Sequence, residues 1–123
     1  MSLRTAKKIS SFTQQEIARL RKTAKHMYAA QGIRILAASS FSESSRILIV
    51  IPGTSGNAVK RNLIRRRIKA IFHQENFSTT QHDYVVIVKK AGIHASYETI
   101  RELLLTVKTL LANQHPVKLS TPS

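Results

Sequence analysis

The sequence predicts a single α+β domain, a sandwich in which about three helices pack on a small central β-sheet. Apolar residues recur at helical spacing in three stretches, at 13–27, 58–74 and 96–112. Runs rich in Ile, Leu and Val, each of strand length, lie between these stretches at 33–39, 46–51 and 84–88. A chain of 123 residues can form one modest hydrophobic core. We therefore expect the helices and strands to share that core.

The first helix begins with a capping pattern. Thr13 and Glu16 have the spacing of a capping box, and Phe12 with Ile17 fits the hydrophobic staple around it. Ile17 and Leu20 open a narrow apolar stripe that can face a sheet. We predict a helix over residues 13–27, preceded by a basic N-terminal tail at residues 1–11.

Two predicted strands and a second helix follow. The strands at 33–39 and 46–51 are joined by a Ser-rich loop, and Pro52-Gly53 ends the second strand in a turn. Asn57 is well placed to cap the helix at 58–74, because its side chain can accept a hydrogen bond from the first helical turn.

A buried strand and an apolar helix complete the domain. The run at 84–88 is apolar on both faces, which predicts a central strand. Ser96 can cap a last helix at 96–112, whose Leu and Val residues form an unbroken stripe. Two prolines and little apolar content then predict a flexible tail at 113–123. The domain itself is expected to span residues 12–112.

The charge of the chain predicts a polyanionic partner. Twenty Lys and Arg residues against six Asp and Glu give a formal net charge of +14, which is typical of a nucleic-acid-binding protein. Six of the ten residues from Lys60 to Lys69 are cationic, and no acidic residue lies between Glu43 and Glu75. A cationic helix built into a fold holds its charges in place, so we expect a shaped nucleic acid as the partner.

The chain offers little for catalysis or cofactor binding. The absence of cysteine excludes disulfides, thiol catalysis and cysteine-based zinc sites. The five histidines lack metal-ligand spacing and the few acidic residues form no carboxylate pair, so we predict no catalytic residue and no metal site on this chain. Gly53 and Gly56 precede the basic helix, but the Lys and Ser/Thr of a P-loop do not follow them. We therefore expect no nucleotide cofactor.

Helical phase divides the basic helix into two faces. At about 100° per residue, Arg61, Arg65 and Lys69 lie on one stripe, and the adjoining face carries isoleucines that can bury against the sheet. Arginine suits this role because its planar fork forms paired hydrogen bonds to phosphate. The candidate RNA-binding residues are Lys60, Arg61, Asn62, Arg65, Arg66 and Lys69.

Three further residues are candidate phosphate contacts. Asn57 stands at the N-terminus of the basic helix, where free N–H groups could hold a backbone phosphate. Lys89 and Lys90 follow the buried strand directly. They could extend the basic surface or simply mark an exposed strand end.

Residues 56–66 read Gly-Asn-Ala-Val-Lys-Arg-Asn-Leu-Ile-Arg-Arg. This stretch closely resembles the signature of the protein subunit of bacterial ribonuclease P, Gly-Asn-Ala-Val-x-Arg-Asn-Arg-x-Lys-Arg. The order of predicted elements from residue 10 to residue 112 is similar as well. The resemblance implies the ribonuclease P protein / ribosomal-protein-S5-like fold, with a left-handed βαβ crossover that runs against the general rule.

The resemblance also implies a function and partners. In that family the RNA subunit carries the active site and its Mg²⁺ ions, while the protein binds the catalytic RNA and the 5′ leader of precursor tRNA. We accordingly expect this chain to assist endonucleolytic removal of the leader, with no cofactor bound by the protein alone. A cytoplasmic location without a membrane partner is expected, because no apolar stretch follows the basic N-terminus as in a secretory signal.

The chain departs from the family pattern at several places. Leu63 stands where the signature has its second Arg, and residues 52–55 replace a segment usually of the form Ser-Lys-Lys-x. The family's first helix carries Phe residues that line the leader cleft, and Ile17 and Arg21 occupy those positions here. Arg21 could stack on a base or bind a phosphate instead.

Two other classes of protein compete with this interpretation. A ribosomal or other structural RNA-binding protein without a role in cleavage would share the charge, size and fold class, although generic basicity does not predict the signature. A DNA-binding module or a protein-only nuclease is disfavoured, because acidic metal ligands are missing.

Overall fold

The computed structural model describes residues 12–40, 45–77 and 80–120. Within these residues the chain forms three α-helices and four β-strands. The helices are α1 (Gln14–Thr23), α2 (Ala58–Gln74) and α3 (Tyr97–Ser120). The strands are β1 (Lys25–Ala30), β2 (Ile33–Ser39), β3 (Ile47–Val50) and β4 (His82–Val88). The predicted α+β architecture is confirmed.

The four strands form one mixed sheet in the order β1-β2-β4-β3. β2 pairs antiparallel with both β1 and β4, whereas β3 pairs parallel with β4. β4 is therefore an inner strand, and all of its residues except Ile87 are buried. The prediction of a central buried strand is confirmed, since an inner strand covered on both faces needs no polar face.

The basic helix lies in the crossover between the two parallel strands. β3 runs into α2, and α2 returns the chain to β4, so β3-α2-β4 is the parallel crossover of the fold. The left-handed sense that the resemblance implies for it stays a prediction. β2 and β3, although consecutive along the chain, do not pair with each other, because β4 lies between them.

One face of the sheet carries the main hydrophobic core. Side chains such as Ile35 and Val86 point from β2 and β4 onto this face and pack against α2 and α3. The helices contribute Ile64, Ile68, Ile71 and Phe72 from α2, and Ile100, Leu103, Leu104, Val107 and Leu111 from α3. This is the anchor that the helical spacing predicted.

The opposite face of the sheet is covered much less. Leu20 of α1 packs there against Ala38 and Val85, and these three residues form a small separate cluster. Partly buried apolar side chains surround the cluster: Phe12, Ala24, Leu36, Leu48 and Ile87. The sheet thus has one thickly covered face and one that α1 covers only in part.

The first helix is shorter than predicted. It ends at Thr23, so the prediction of a helix over residues 13–27 is wrong at its C-terminal end. Lys25–Ala30 instead form β1, a strand that the sequence analysis does not predict. β1 is an edge strand joined to β2 by a tight turn in which Gln31 and Gly32 have φ of 51° and 81°. Pairing with β2 through this turn overrides the local helical pattern.

The last helix is longer than predicted. The Ser96 Oγ accepts a hydrogen bond from the Thr99 N–H at 3.2 Å, as expected of a cap. The helical backbone then continues past residue 112, through Pro116, to Ser120. Most of the predicted tail at 113–123 is thus helical backbone, and its flexibility stays a prediction. The predicted basic tail at 1–11 lies outside the described residues.

Candidate nucleic-acid interface

The basic helix α2 is fixed at its start and along one face. The Asn57 side chain accepts a hydrogen bond from the Lys60 N–H at 2.9 Å, so the predicted cap is confirmed. Ile64, Ile68 and Ile71 are fully buried, and Phe72 is 1% exposed. Burial of side chains of this size stabilises the helix position by about 1.5–3 kcal/mol each.

The polar face of α2 points away from the core. Lys60, Asn62, Arg66 and Lys69 are exposed, and Arg61 and Arg65 are partly exposed. All six predicted RNA-binding residues are therefore at least partly accessible on one helix. Whether they bind RNA stays a prediction.

Hydrogen bonds within this face orient two of the arginines. The Arg61 Nη1 donates to the Gly53 carbonyl at 3.3 Å, and the Arg65 Nη1 donates to the Asn62 Oδ1 at 3.4 Å. Among the described residues, every salt bridge lies off this helix, on Arg46 or Arg101. The cations of α2 consequently keep their full charge available to an external anion.

Arg67 differs from the other cations of the helix. Its Nη1 donates to the Ala95 carbonyl at 2.8 Å, so it ties α2 to the segment before α3. It is partly buried, and the sequence reading did not separate it from its neighbours. Its position in the helical phase, about 40° from the buried Ile71 at the edge of the buried face, is the signal that could have set it apart.

The second group of candidates lies near the start of α2. Short 3₁₀ turns at Gly53–Ser55 and Lys90–Gly92 contact each other. The buried Ser55 hydroxyl donates to the Val88 carbonyl at 3.1 Å, which fixes the segment before α2 to the end of β4. Lys89 and Lys90, both exposed, are thereby brought close to the N-terminal end of α2.

The other predicted region lies on α1. Ile17 is half-buried and Arg21 is exposed, and their spacing places them on one stripe of the helix. Beside this helix the sheet presents a half-buried apolar surface of Leu36, Leu48 and Ile87. That Ile17 and Arg21 line a cleft over this surface stays a prediction.

Arg46 is a feature of this region that the sequence reading missed. Its guanidinium contacts the Glu16 carboxylate at 3.0 Å and the Asp83 carboxylate at 3.4 Å, and it lies 4.4 Å from the centre of the Phe12 ring. These partners are far apart along the chain, so no local pattern identifies the residue. The local sequence shows only that Arg46 lies at the start of a predicted strand, and this does not indicate which residues it contacts.

The surroundings of Glu16 and Tyr84 shift the pKa values of these two side chains. The pKa of Glu16 is lowered, first by the hydrogen bond from the Thr13 backbone N–H and then by the Arg46 guanidinium. Burial raises the pKa of Tyr84 to about 12, against the opposing effect of its hydrogen bond with the Thr80 hydroxyl at 2.6 Å. Both shifts mark a group whose charge state is coupled to the fold.

Metal binding and membrane insertion are two further functions on which the structure bears. Within residues 12–40, 45–77 and 80–120, no group of three or more His, Cys, Asp or Glu residues is arranged to hold a metal ion. Of the helices in the same residues, none is long and apolar enough to cross a membrane.

The fold and the site define an α+β protein that displays one strongly cationic helix from a parallel crossover. The family model for ribonuclease P matches residues 6–112, so the chain belongs to the ribonuclease P protein family. The resemblance seen in the sequence is thereby confirmed.

Individual relatives agree with this assignment. The ribonuclease P protein component of Bacillus pumilus is 37% identical over 68 residues, which cover 53% of this chain and 57% of that relative. The chain thus matches little more than half of that protein's length.

Solved structures share the fold. The ribonuclease P protein of Staphylococcus aureus superposes with a TM-score of 0.71 at 20% identity, covering 83% of this chain and 94% of that one. The protein from Thermotoga maritima gives 0.67 at 23% identity, covering 80% and 93%.

Proposed function

We propose that this chain is the protein subunit of ribonuclease P. In this role it binds the catalytic RNA and the 5′ leader of precursor tRNA, and it assists the endonucleolytic cut that forms the mature tRNA 5′ end. The observation that carries the proposal is α2, which displays its signature residues on an exposed face while four buried side chains anchor it. Family membership supports ribonuclease P RNA as the RNA that this face would bind.

The polar face of α2 is proposed to bind the RNA backbone. Arg61, Arg65 and Lys69 succeed one another at intervals of four residues, roughly 6 Å along the helix axis. Neighbouring phosphates of an RNA strand can be contacted at such intervals, with release of condensed counterions. The hydrogen bond between Arg65 and Asn62 orients one guanidinium before the RNA arrives.

The cleft between α1 and the sheet is proposed to hold the leader. Leu36, Leu48 and Ile87 give it an apolar floor, on which ribose and base faces can lie. Ile17 adds an apolar contact, and the exposed Arg21 can stack on a base or bind a phosphate. Recognition of this kind is tolerant of sequence, as a subunit that meets many leaders requires.

The catalytic centre is proposed to lie on the RNA subunit, which supplies Mg²⁺ chemistry when that ion is bound there. The residues of this chain act on binding. By neutralising phosphates they favour the docked precursor and lower the Mg²⁺ concentration that the RNA needs to fold and bind its substrate. By holding the leader they favour precursor over mature tRNA.

Reconstitution tests the proposal. The purified protein is added to a bacterial ribonuclease P RNA and a precursor tRNA at low Mg²⁺, and the release of the leader is followed. Stimulated cleavage, reduced by the paired change Arg61→Ala and Arg65→Ala, is expected. Binding to the RNA without stimulation would instead support a structural RNA-binding protein, and would overturn the proposal.

A further inference from the structure

Helix α1 is attached to the sheet by few apolar contacts. Of its ten residues only Leu20 is buried, and Phe12 and Ala24 add partly buried contacts at its two ends. A single buried leucine fixes neither the tilt nor the rotation of a helix, because the hydrophobic effect has no preferred direction. Directional contacts are needed to hold α1 in one orientation.

Arg46 provides such contacts. Its Nη1 donates to the Glu16 Oε1 at 3.0 Å on α1, and its Nη2 donates to the Asp83 Oδ2 at 3.4 Å on β4. The guanidinium also lies over the Phe12 ring, just before α1. One side chain therefore joins the first turn of α1, and the residue that precedes its N-cap, to the central strand.

The anchor of Arg46 on the sheet is rigid. Its backbone N–H donates to the Asp83 Oδ1 at 3.1 Å, and its carbonyl accepts from the Tyr84 N–H at 2.8 Å. The side chain of Asp83 is 5% exposed and that of Arg46 is 17% exposed, so solvent screens this pair only weakly. The side chain of Glu16 is 34% exposed, so solvent screens its contact with Arg46 more strongly.

We propose that Arg46 is a positioning residue for the leader cleft: by bridging Glu16 and Asp83 it sets the orientation of α1 over the sheet. The inference rests on the proposed function, because it concerns the leader-binding side of α1. Around the helix, Glu16 lies about 40° to one side of Leu20, whereas Ile17 and Arg21 lie about 60° and about 100° to the other side. A change in the position of Glu16 relative to Arg46 would therefore rotate α1 and move Ile17 and Arg21 toward or away from the proposed cleft floor.

Arg46 is expected to act through α1 and not by holding a nucleotide in the crevice that it lines. Among the described residues this crevice, which Glu16, Leu20 and Asp83 also line, has a volume of about 10 Å³. Such a space holds about one water molecule. An effect of Arg46 on RNA is therefore expected to pass through the position of the helix.

The geometry also says which substitutions separate this role from folding. Arg46→Lys keeps the positive charge beside the buried Asp83, but a single ammonium group cannot reproduce the planar fork that bridges two carboxylates and stacks on Phe12. Glu16→Gln keeps the capping box, since Gln can accept the same Thr13 N–H bond, and removes the charge that Arg46 holds. Each variant loosens the bridge from a different side.

The first measurement is binding by the reconstituted holoenzyme. Equilibrium affinities are compared for a precursor tRNA with its leader and for the same tRNA without it. Arg46→Lys and Glu16→Gln are each expected to lower the preference for the leader-bearing tRNA roughly fivefold or more, with little change for mature tRNA. The double variant should lose no more than the stronger single variant, because both break one bridge. Equal losses for both tRNAs, or an unchanged preference, would overturn the inference.

The second measurement needs no RNA. Amide hydrogen exchange of the free protein is expected to rise about tenfold or more in α1 of Arg46→Lys, with unchanged exchange in α2. Unchanged exchange in α1 would refute the bridge whatever the holoenzyme does. A holoenzyme of the unchanged protein that shows no leader preference, with exchange responding as expected, would refute the proposed function and leave the bridge standing.

Discussion

Helices α1 and α2 both present cations to solvent, but they are held in place by different forces. α2 buries four large side chains in the main core, whereas α1 buries only Leu20. α1 is instead held by the Arg46 bridge to Glu16 and Asp83. The buried aliphatic side chains that anchor α2 carry no charge, whereas the contacts of Arg46 depend on the charge of two carboxylates. The comparison shows that one helix is held mainly by hydrophobic burial and the other mainly by an ion bridge.

The largest expected effect concerns the anchor of α2. Ile68→Ala removes a fully buried side chain between α2 and the sheet and should lower the free energy of unfolding by about 3 kcal/mol. Urea unfolding followed by circular dichroism measures this. Val59→Ala is the matched control on the same helix, because Val59 is 74% exposed and its loss should cost less than about 0.5 kcal/mol. Similar losses in the two variants would show that α2 is not anchored as described.

Alkaline pH should weaken the α2 side of the molecule. Tyr84 packs edge-on against Phe72 of α2, and burial raises its pKa from 10.0 to about 12. A group with a raised pKa stabilises the fold fully below pH 10, and that contribution is lost as the pH rises toward 12. Thermal unfolding across this range should show a falling melting temperature, with a flatter profile for Tyr84→Phe. An identical profile in the variant would assign the alkaline loss to another group.

Charge removal on α2 should change RNA binding without changing the fold. Arg65→Ala should reduce the slope of log affinity against log salt by about one phosphate contact. Lys25→Ala removes the same charge from the exposed start of β1 and serves as the control. Filter binding over a salt series measures both. A slope that falls equally in the two variants would mean that the total charge matters and the α2 face does not.

The smallest effect is expected at acid pH and on α1. The lowered pKa of Glu16 means that its charge stabilises the docked helix at neutral pH, and that this contribution is lost as the pH falls through the pKa of the folded state. Protection from hydrogen exchange, followed as the pH is lowered below 4.5, should therefore fall in α1 before it falls in α2. Glu16→Gln should remove this pH dependence of exchange in α1. Simultaneous loosening of the two helices would argue against separate anchors.

The sequence predicts those parts of the molecule whose signals are local. The bounds of α2, its Asn57 cap and the split between its buried and exposed faces follow from spacing within one segment, and the structure agrees. The prediction of a helix over residues 13–27 is wrong at its C-terminal end, where the chain enters β1. Lys25–Ala30 become a strand only because they pair with β2 across a turn. The role of Arg46 likewise depends on contacts that are distant in sequence, since Glu16 and Asp83 lie 30 and 37 residues away along the chain. No local pattern predicts it.

The most direct test of the account uses the absence of cysteine from the chain. Leu63→Cys, at an exposed position of α2, and Arg21→Cys, on α1, each give a unique thiol to which an iron chelate that generates hydroxyl radicals can be attached. In the reconstituted complex, the probe on α2 should cut the catalytic RNA and the probe on α1 should cut the leader of the precursor tRNA. Cuts that reach neither RNA, or a leader cut only from α2, would contradict the division of roles between the two helices.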